Sequence, residues 1–244
     1  MKVGVYYFHL LALGGGTSRV RTVEEFHESA LRCAATYRQF PPQADHELVV
    51  VFLRGTITER DRAVWSGIPC RFEHYQPRET DGWSMQAWQE QSSKEEFDFM
   101  VALCSRAHFH RAGWLRRMVE AREKHGDGLY GSMASFLGCP LGGSPAHNPH
   151  LRGTMYGCDP KTFNRYPHKI ASATEEYYFE CGQWNVCSWY ASLGKPVMMV
   201  TFDGEWVPAD WGKPVNTFCN GDQSNLLNWD RHTEAYRTKT PLIP

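Results

Sequence analysis

The apolar positions of this chain follow two rhythms, short unbroken runs and helical repeats, and through the first half the two alternate. Lys2 to Phe8 (KVGVYYF) is a run of β-formers and predicts an opening strand. Thr22 to Phe40 (TVEEFHESALRCAATYRQF) carries apolar residues at helical spacing, with Thr22 as N-cap and Glu25 as its capping-box partner. His46 to Gly55 (HELVVVFLRG) is continuously apolar, as expected of a strand covered on both faces. A short helix (ERDRAVWSG), a strand (CRFEHYQP), a helix (DGWSMQAWQEQSSKEE) and a strand (FDFMVAL) follow. The helix AGWLRRMVEAREKHG ends at Gly126, a residue type suited to a helix C-terminus. This alternation predicts an α/β fold with a mostly parallel central sheet flanked by helices.

Beyond Gly126 the rhythm loosens. DGLYGSMASFLGCPLGGSPAHNPHLRG is rich in Gly, Pro, Ser and Asn and reads as a loop shaped for a substrate. TMYGCDPKTFNRYP predicts a strand, a turn and a short helix. TEEYYFECGQWNVCSWYASLG predicts one helix closed by Gly194, and KPVMMVT a late strand. The tail NTFCNGDQSNLLNWDRHTEAY predicts a short helix after Gly221, with Asp222 placed to cap it. No repeat or low-complexity linker interrupts the chain. Residues 1–244 read as a single domain with a regular half (1–126) and a loop-rich half (127–244).

Composition narrows this little. The 244 residues suffice for a sizeable core, and 42% hydrophobic with 22% charged residues is ordinary for a soluble globular protein. A net charge of -1 provides no global field for nucleic acid or an anionic membrane. Arg111, Arg116, Arg117 and Arg122 lie on one helix, and the usual reading of such a run is a solvated face. Nine Trp serve packing first, with sugar or base stacking as the other use. The eight Cys form no C-x-x-C and no zinc-type spacing with His. The apolar start is too short for a bilayer and contains His9, so it reads as a core strand and not a signal peptide. Reduced thiols and a cytoplasmic location are the expectation.

Candidate chemistry starts at the Gly14–Gly16 loop, which follows the first strand and is placed to cradle a phosphate. It matches neither G-x-G-x-x-G nor a Walker loop, and a loop with no ligand fits equally well. The order of the later segments is more specific. DGWSMQAWQEQ precedes FDFMVALCSRAHFHRAGWL, and TEEYYFECGQW and LGKPVMMVT come later, before GDQSNLLNWDRH. This order resembles the GT-A fold of nucleotide-sugar glycosyltransferases over most of the chain. The resemblance implies a nucleotide-binding half at 1–126 and an acceptor-binding, loop-rich half at 127–244.

One departure matters. Where the family carries D-x-D, which holds Mn²⁺ or Mg²⁺ against the donor diphosphate, this chain has Cys104-Ser105-Arg106. No carboxylate is there to hold a hard cation, so no metal ligand is assigned. An arginine stays charged and grips phosphate oxygens in a fork. The expectation is that Arg106 replaces or supplements the metal, aided by His108 or His110. The alternatives are an ion pair between Arg106 and Asp98, or an inactive site.

The resemblance also implies a general base in the acidic pair Glu175-Glu176, with Glu176 favoured, for an inverting transfer. Both acids also suit the first turn of a helix. Implied donor contacts are Tyr7, Phe8, His9, Asp81, Cys104, Ser105, His108, Asp222 and His232. The family's Asp in the helix motif is Ser84 here, which leaves Asp81 open. Arg152, Thr154 and Trp184 are implied on the acceptor side. The implied reaction moves a sugar from a nucleotide-diphospho-sugar, a UDP-sugar foremost, to a hydroxyl of a glycan, a protein or a hydroxylated nucleobase in nucleic acid. The alternative is a non-catalytic module that binds a nucleotide or a partner. A nucleotidyltransferase is a third reading, and it also requires carboxylate-held Mg²⁺.

Overall fold

Val3–Leu10 (β1), Glu47–Leu53 (β2), Arg71–Tyr75 (β3) and Phe99–Leu103 (β4) lie side by side, all parallel, in an eight-stranded sheet. They are the apolar runs that the sequence marks as strands. The computed structural model describes residues 1–12, 22–76, 84–137, 147–182, 184–213 and 216–239. Val23–Gln39 (α1), Glu59–Ala63 (α2) and Ser84–Ser92 (α3) run between the strands, and Trp114–His125 (α4) follows β4. The capping box of α1 forms as predicted. Thr22 Oγ1 accepts from the Glu25 N–H and the Glu25 carboxylate accepts from the Thr22 N–H, both at 3.2 Å.

The second half enters the same sheet. Leu129–Gly131 (β5), Ala134–Leu137 (β6), His147–Leu151 (β7) and Met155–Cys158 (β8) come first. The helices Pro160–Phe163 (α5), Ala173–Glu180 (α6) and Val186–Ser192 (α7) follow. Val197–Val200 (β9), Glu205–Trp206 (β10) and the helix Arg231–Thr238 (α8) complete the chain. The strand order is β10-β9-β5-β8-β4-β1-β2-β3, with β8 antiparallel to both β4 and β5 and β5 parallel to β9. β6 and β7 pair separately. The expected α/β class, with its mostly parallel sheet and flanking helices, is therefore present. Among the described residues, no helix is long and apolar enough to cross a membrane.

Three local expectations need correction. The stretch after Gly126 is no long loop, because it contains β5, β6 and β7. β5 has three residues and β6 four, too few to show a period of two. The single helix expected over TEEYY to Gly194 is two helices. A Cβ on Gly182 would meet Tyr178 Cα at 2.6 Å, so the chain packs tightly there as it turns. Asn185 then caps α7, its Oδ1 accepting from the Ser188 N–H at 2.8 Å. The tail helix begins at Arg231, not after Gly221. Its N-cap is Asp230, whose Oδ1 accepts from the Thr233 N–H at 2.9 Å. Asp222 stands in a turn, accepting from the Ser224 N–H at 2.8 Å.

Alternation along each strand divides the core in two. Tyr6, Phe8 and Leu10 of β1 face Trp88, Phe163 and Phe179, on the side of α3, α5 and α6. Val3, Val5 and Tyr7 face Trp65, Trp114 and Met118, on the side of α1, α2 and α4. The strand order reverses direction of growth between β1 and β4. Such a switch point opens a crevice beyond the carboxyl ends of the strands. β8 runs the other way, so its start lies at that same edge.

The β8 insertion depends on Gly157, which pairs with Val101 of β4 and Tyr130 of β5. A Cβ there would meet Phe99 Cζ at 2.5 Å and Met118 Cε at 3.0 Å, both in the buried core. Gly157→Ala is expected to destabilise the fold by about 1–3 kcal/mol through overpacking. A lower urea midpoint at unchanged slope checks this.

Candidate functional site

At the end of β4 the chain turns sharply through Cys104-Ser105-Arg106, and three hydrogen bonds fix the turn. Cys104 N–H donates to the Thr154 carbonyl at 3.1 Å, where β8 begins. Ala107 N–H donates to the Cys104 carbonyl at 3.0 Å, and the Tyr7 hydroxyl donates to the Ser105 carbonyl at 2.8 Å. The half-buried Arg106 guanidinium lies 5.0 Å from the centre of the Phe26 ring. Burial, with the Arg231 charge, lowers its pKa from the usual arginine value, and Cys104, Asp230 and Glu25 act the other way. Pairing with Asp98 is ruled out by position. Asp98 sits at the opposite end of β4, where it accepts from the Lys2 N–H at 2.7 Å.

Beside Arg106 stands a group of residues that the sequence does not bring together. Asp230 is buried, and both its oxygens are engaged. Oδ1 accepts from Thr233 N–H and Oγ1, and Oδ2 lies 3.2 Å from His232 Nδ1. Burial alone would raise its carboxyl. The His232 hydrogen bond and charge, with Thr233 and Arg152, instead hold it well below the carboxylate range. Arg152 joins from the strand β7 side. Its Nε lies 3.4 Å from Glu180 Oε1, and its guanidinium 4.4 Å from the Phe218 ring centre. Burial opposes the Arg152 charge, but Glu180 and Asp230 outweigh it and raise its pKa. The edge thus carries Arg106, Arg152 and Arg231 near the buried Asp230, with Glu180 against Arg152. A cavity of about 860 Å³, lined in part by Phe218, His232 and Arg237, opens beside it.

The acidic pair divides its labour. Glu175 Oε2 accepts from the Ala171 N–H at 2.7 Å, and the Ser172 Oγ accepts from the Glu175 N–H at 3.3 Å. Glu175 therefore closes the first turn of α6, and no role at the reacting atoms follows for it. Glu176 turns inward. Its Oε1 accepts from the Met85 N–H at 2.8 Å, in the first turn of α3. Burial pushes its carboxyl up to about 8; the Met85 N–H and Arg54 pull it down, and the Glu180 charge pushes it up. Glu180 lies one turn on, accepting from the Gly153 N–H at 3.0 Å. It anchors Arg152 and the chain entering β8.

Several residues expected at the site lie elsewhere. Tyr7 and Phe8 are fully buried in the two cores, so β1 offers this edge its backbone end and not those rings. His9 is also buried and faces His27 and Asp61 on the α1 and α2 side. His108 is buried 3.5 Å from Glu234, and His110 Nε2 lies 2.6 Å from the Leu226 carbonyl. His108 Nδ1 also lies 3.3 Å from the Arg106 carbonyl and so steadies that turn, whereas His110 is committed to the tail. Thr154 is interior, with its Oγ1 3.4 Å from Ser132 Oγ. Trp184 stacks on His168 at 4.2 Å, which uses one ring face. Cys104 and Ser105 contribute backbone, and burial pushes the Cys104 thiol up to about 12. Asp222 is exposed in its turn and lines the cavity with His232. Asp81 lies outside the described residues.

The fit to a divalent cation at the β4 end is poor. The strand ends in an arginine, and both Asp230 oxygens already accept hydrogen bonds. The one group of three potential metal ligands among the described residues is His9, His27 and Asp61, on the α1 and α2 side of the sheet. Glu180 and Arg231 were missed by sequence reasoning, and Asp230 was noticed only as a possible metal ligand beside Asp222 and His232. The available signals were Asp230 before a polar helical run and Glu180 four positions after Glu176.

No protein-family model matches the chain, and no curated protein matches it. Solved structures resemble it in fold. TarS from S. aureus is 11% identical with a TM-score of 0.46, over 73% of this chain and 32% of that one, so the chain spans about a third of TarS. A putative glucose-1-phosphate thymidylyltransferase from Bacillus anthracis is 14% identical with a TM-score of 0.49, over 80% and 85% of the two chains. The galactosyltransferase LgtC, solved with donor and acceptor sugar analogues, is 13% identical with a TM-score of 0.45, over 79% and 66%. Each likeness is one of fold alone.

The raised Glu176 carboxyl has a consequence for stability. Its pKa rises from 4.5 to about 8 on folding. Its contribution is therefore complete below pH 4.5 and is lost as pH rises through about 8. Glu176→Gln keeps the acceptor for the Met85 N–H and removes the titration. Urea unfolding across this window is expected to show a falling stability in the wild type that is flattened in the variant.

Proposed function

We propose that the chain transfers a sugar from a nucleoside-diphosphate sugar to a hydroxyl acceptor without a metal at the diphosphate. One observation carries the reading: Arg106, Arg152 and Arg231 gather round Asp230 at the switch-point edge, where a hard cation finds no carboxylate set. Guanidiniums gathered at one strand edge suit the phosphate oxygens of an anionic leaving group. In the transfer, the acceptor oxygen attacks the anomeric carbon while the bond from that carbon to the diphosphate oxygen breaks. The negative charge grows on the diphosphate, where Arg106 and Arg231 meet it. Glu176, in its ionised form, takes the acceptor proton. Arg152, held by Glu180, positions the cluster from the β8 side.

A UDP-sugar is the foremost donor, and a glycan, protein or hydroxylated nucleobase hydroxyl the acceptor. The test is a thermal-shift screen over nucleoside diphosphates and their sugars, with EDTA or Mn²⁺. The expected outcome is a shift by one nucleotide that EDTA leaves unchanged. Arg106→Ala should weaken that binding roughly 10- to 100-fold, the worth of charge-assisted hydrogen bonds. A shift seen only with Mn²⁺ overturns the metal-free reading.

Donor hydrolysis separates a transferase from a module that only binds. Its rate at low substrate should rise with pH through about 8, where Glu176 ionises. Glu176→Gln should lower it by about 10²–10⁴-fold while leaving nucleotide binding in place. A pH-flat rate, or a variant as active as the wild type, removes Glu176 from the role of base.

A further inference from the structure

On the α1 and α2 side of the sheet, three side chains converge where β1 meets those helices. His9 comes from the carboxyl end of β1, His27 from α1 and Asp61 from α2. His9 Nε2 lies 4.0 Å and His27 Nδ1 3.7 Å from the same atom, Asp61 Oδ1. All three ligand atoms fall within 4.8 Å of one another. We propose that His9, His27 and Asp61 form a binding site for a divalent transition metal, with zinc as the ion best matched by two imidazoles and one carboxylate.

Several features mark this as a built site and not a chance approach. His9 is 1% exposed, yet its Nε2 has no hydrogen-bond partner and is aimed at the carboxylate. A buried polar atom left unpaired costs free energy unless something meets it. Asp61 is divided in the way a ligand carboxylate needs. Its Oδ2 accepts from Thr58 N–H at 2.9 Å and from Thr58 Oγ1 at 2.6 Å, leaving Oδ1 to face both rings. That outer contact fixes the carboxylate's orientation. Zinc with bonds of about 2.0–2.2 Å in a tetrahedron holds its ligand atoms about 3.3–3.5 Å apart. From 4.0 and 3.7 Å, the separations to the carboxylate close by about 0.2–0.7 Å on binding, and the two ring nitrogens, within 4.8 Å of each other, by up to about 1.5 Å. Nitrogen and oxygen donors of this kind suit zinc and its neighbours, and three protein ligands leave a fourth position for water. The Asp61 side chain is 13% exposed, so solvent reaches that position.

Trp65 supplies a reporter. Its indole N–H donates to His9 Nδ1 at 3.3 Å, so the neutral ring carries its proton on Nε2. Metal bound at Nε2 moves that proton to Nδ1, where it faces the indole donor and breaks the Trp65 bond. That leaves two buried N–H donors facing each other, a cost set against the gain from a coordinated ion. Binding is therefore expected to change Trp65 fluorescence.

The test uses full-length protein stripped with a chelator and titrated with Zn²⁺, and separately with Co²⁺. The expected result is a single tight equivalent, a rise in thermal midpoint and a visible Co²⁺ spectrum of a four- or five-coordinate site. His27→Gln and Asp61→Asn should each weaken binding by ~100-fold or more, and the Asn variant retains an α2 cap. Far-UV circular dichroism of the metal-free variants separates a lost ligand from a lost fold, and Trp65→Phe tests the reporter. Binding unaffected by either substitution in folded variants, or no binding by folded wild-type protein, overturns the proposal. The outcome is read apart from the transferase reading, because Arg106→Ala should keep the metal.

Discussion

The Cys104 N–H bond to the Thr154 carbonyl joins the two halves of the chain at one point, where β4 leaves the sheet and β8 enters it in the opposite sense. Much of the candidate site depends on that junction. It turns the chain after β4 so that Arg106 leaves the strand end at a fixed angle. It also brings Arg152 and Gly153, the residues just before Thr154, to the same edge, where Glu180 accepts from Gly153 and pairs with Arg152. A parallel β8 would start at the opposite edge and carry Arg152 away from Arg106. Antiparallel insertion therefore gathers the cations, and Gly157 permits it by leaving room for the Phe99 ring.

The electrostatics of the edge follow from desolvation. A guanidinium moved from water loses hydration, and a like-charged neighbour adds to the cost. Both effects act on Arg106, whose pKa is lowered by burial and by Arg231. Asp230 offsets part of this, and its oxygens are held by Thr233 and His232. The carboxylate is thus a fixed counter-charge beneath the arginines. An incoming diphosphate would relieve the mutual repulsion of the cations, and relief of existing repulsion adds to the attraction of the new charge. Glu176 sits in the converse setting, short of compensating cations and beside Glu180, so burial favours its proton.

What the sequence made legible was local. The strands β1, β2 and β4, the Thr22 capping box and the strand-to-helix join at Arg106 all rest on residues within a few positions of one another. Glu176 was legible because an acidic pair opening a helix is a local pattern, and the local fate of Glu175, closing its own turn, removes it from the pair. What failed was contact at long range. Tyr7 and Phe8 were expected at the donor because the resemblance places the end of the first strand there. In a sheet covered on both faces, neither ring faces outward. Asp230 and Glu180 meet Arg152 only through β8 and the returning tail, which no spacing announces. His9, His27 and Asp61 escaped notice because each comes from a different element.

The first turns of α1 connect the two candidate sites. Phe26 packs into the core on the α3 side and lies under Arg106, whereas Ala30, Cys33 and Ala34 pack on the opposite face of the sheet. The helix start therefore straddles the end of β1, and the neighbouring residue, His27, reaches toward His9 and Asp61. An ion bound there would tie α1, α2 and β1 together within a turn of the ring that supports Arg106. Helix ends are ordinarily the places where structure frays first. A coordinated ion would remove that freedom at the position where the Arg106 guanidinium needs a fixed platform, so the metal's effect on the cleft would come through the placement of Phe26 and not through its charge on the diphosphate.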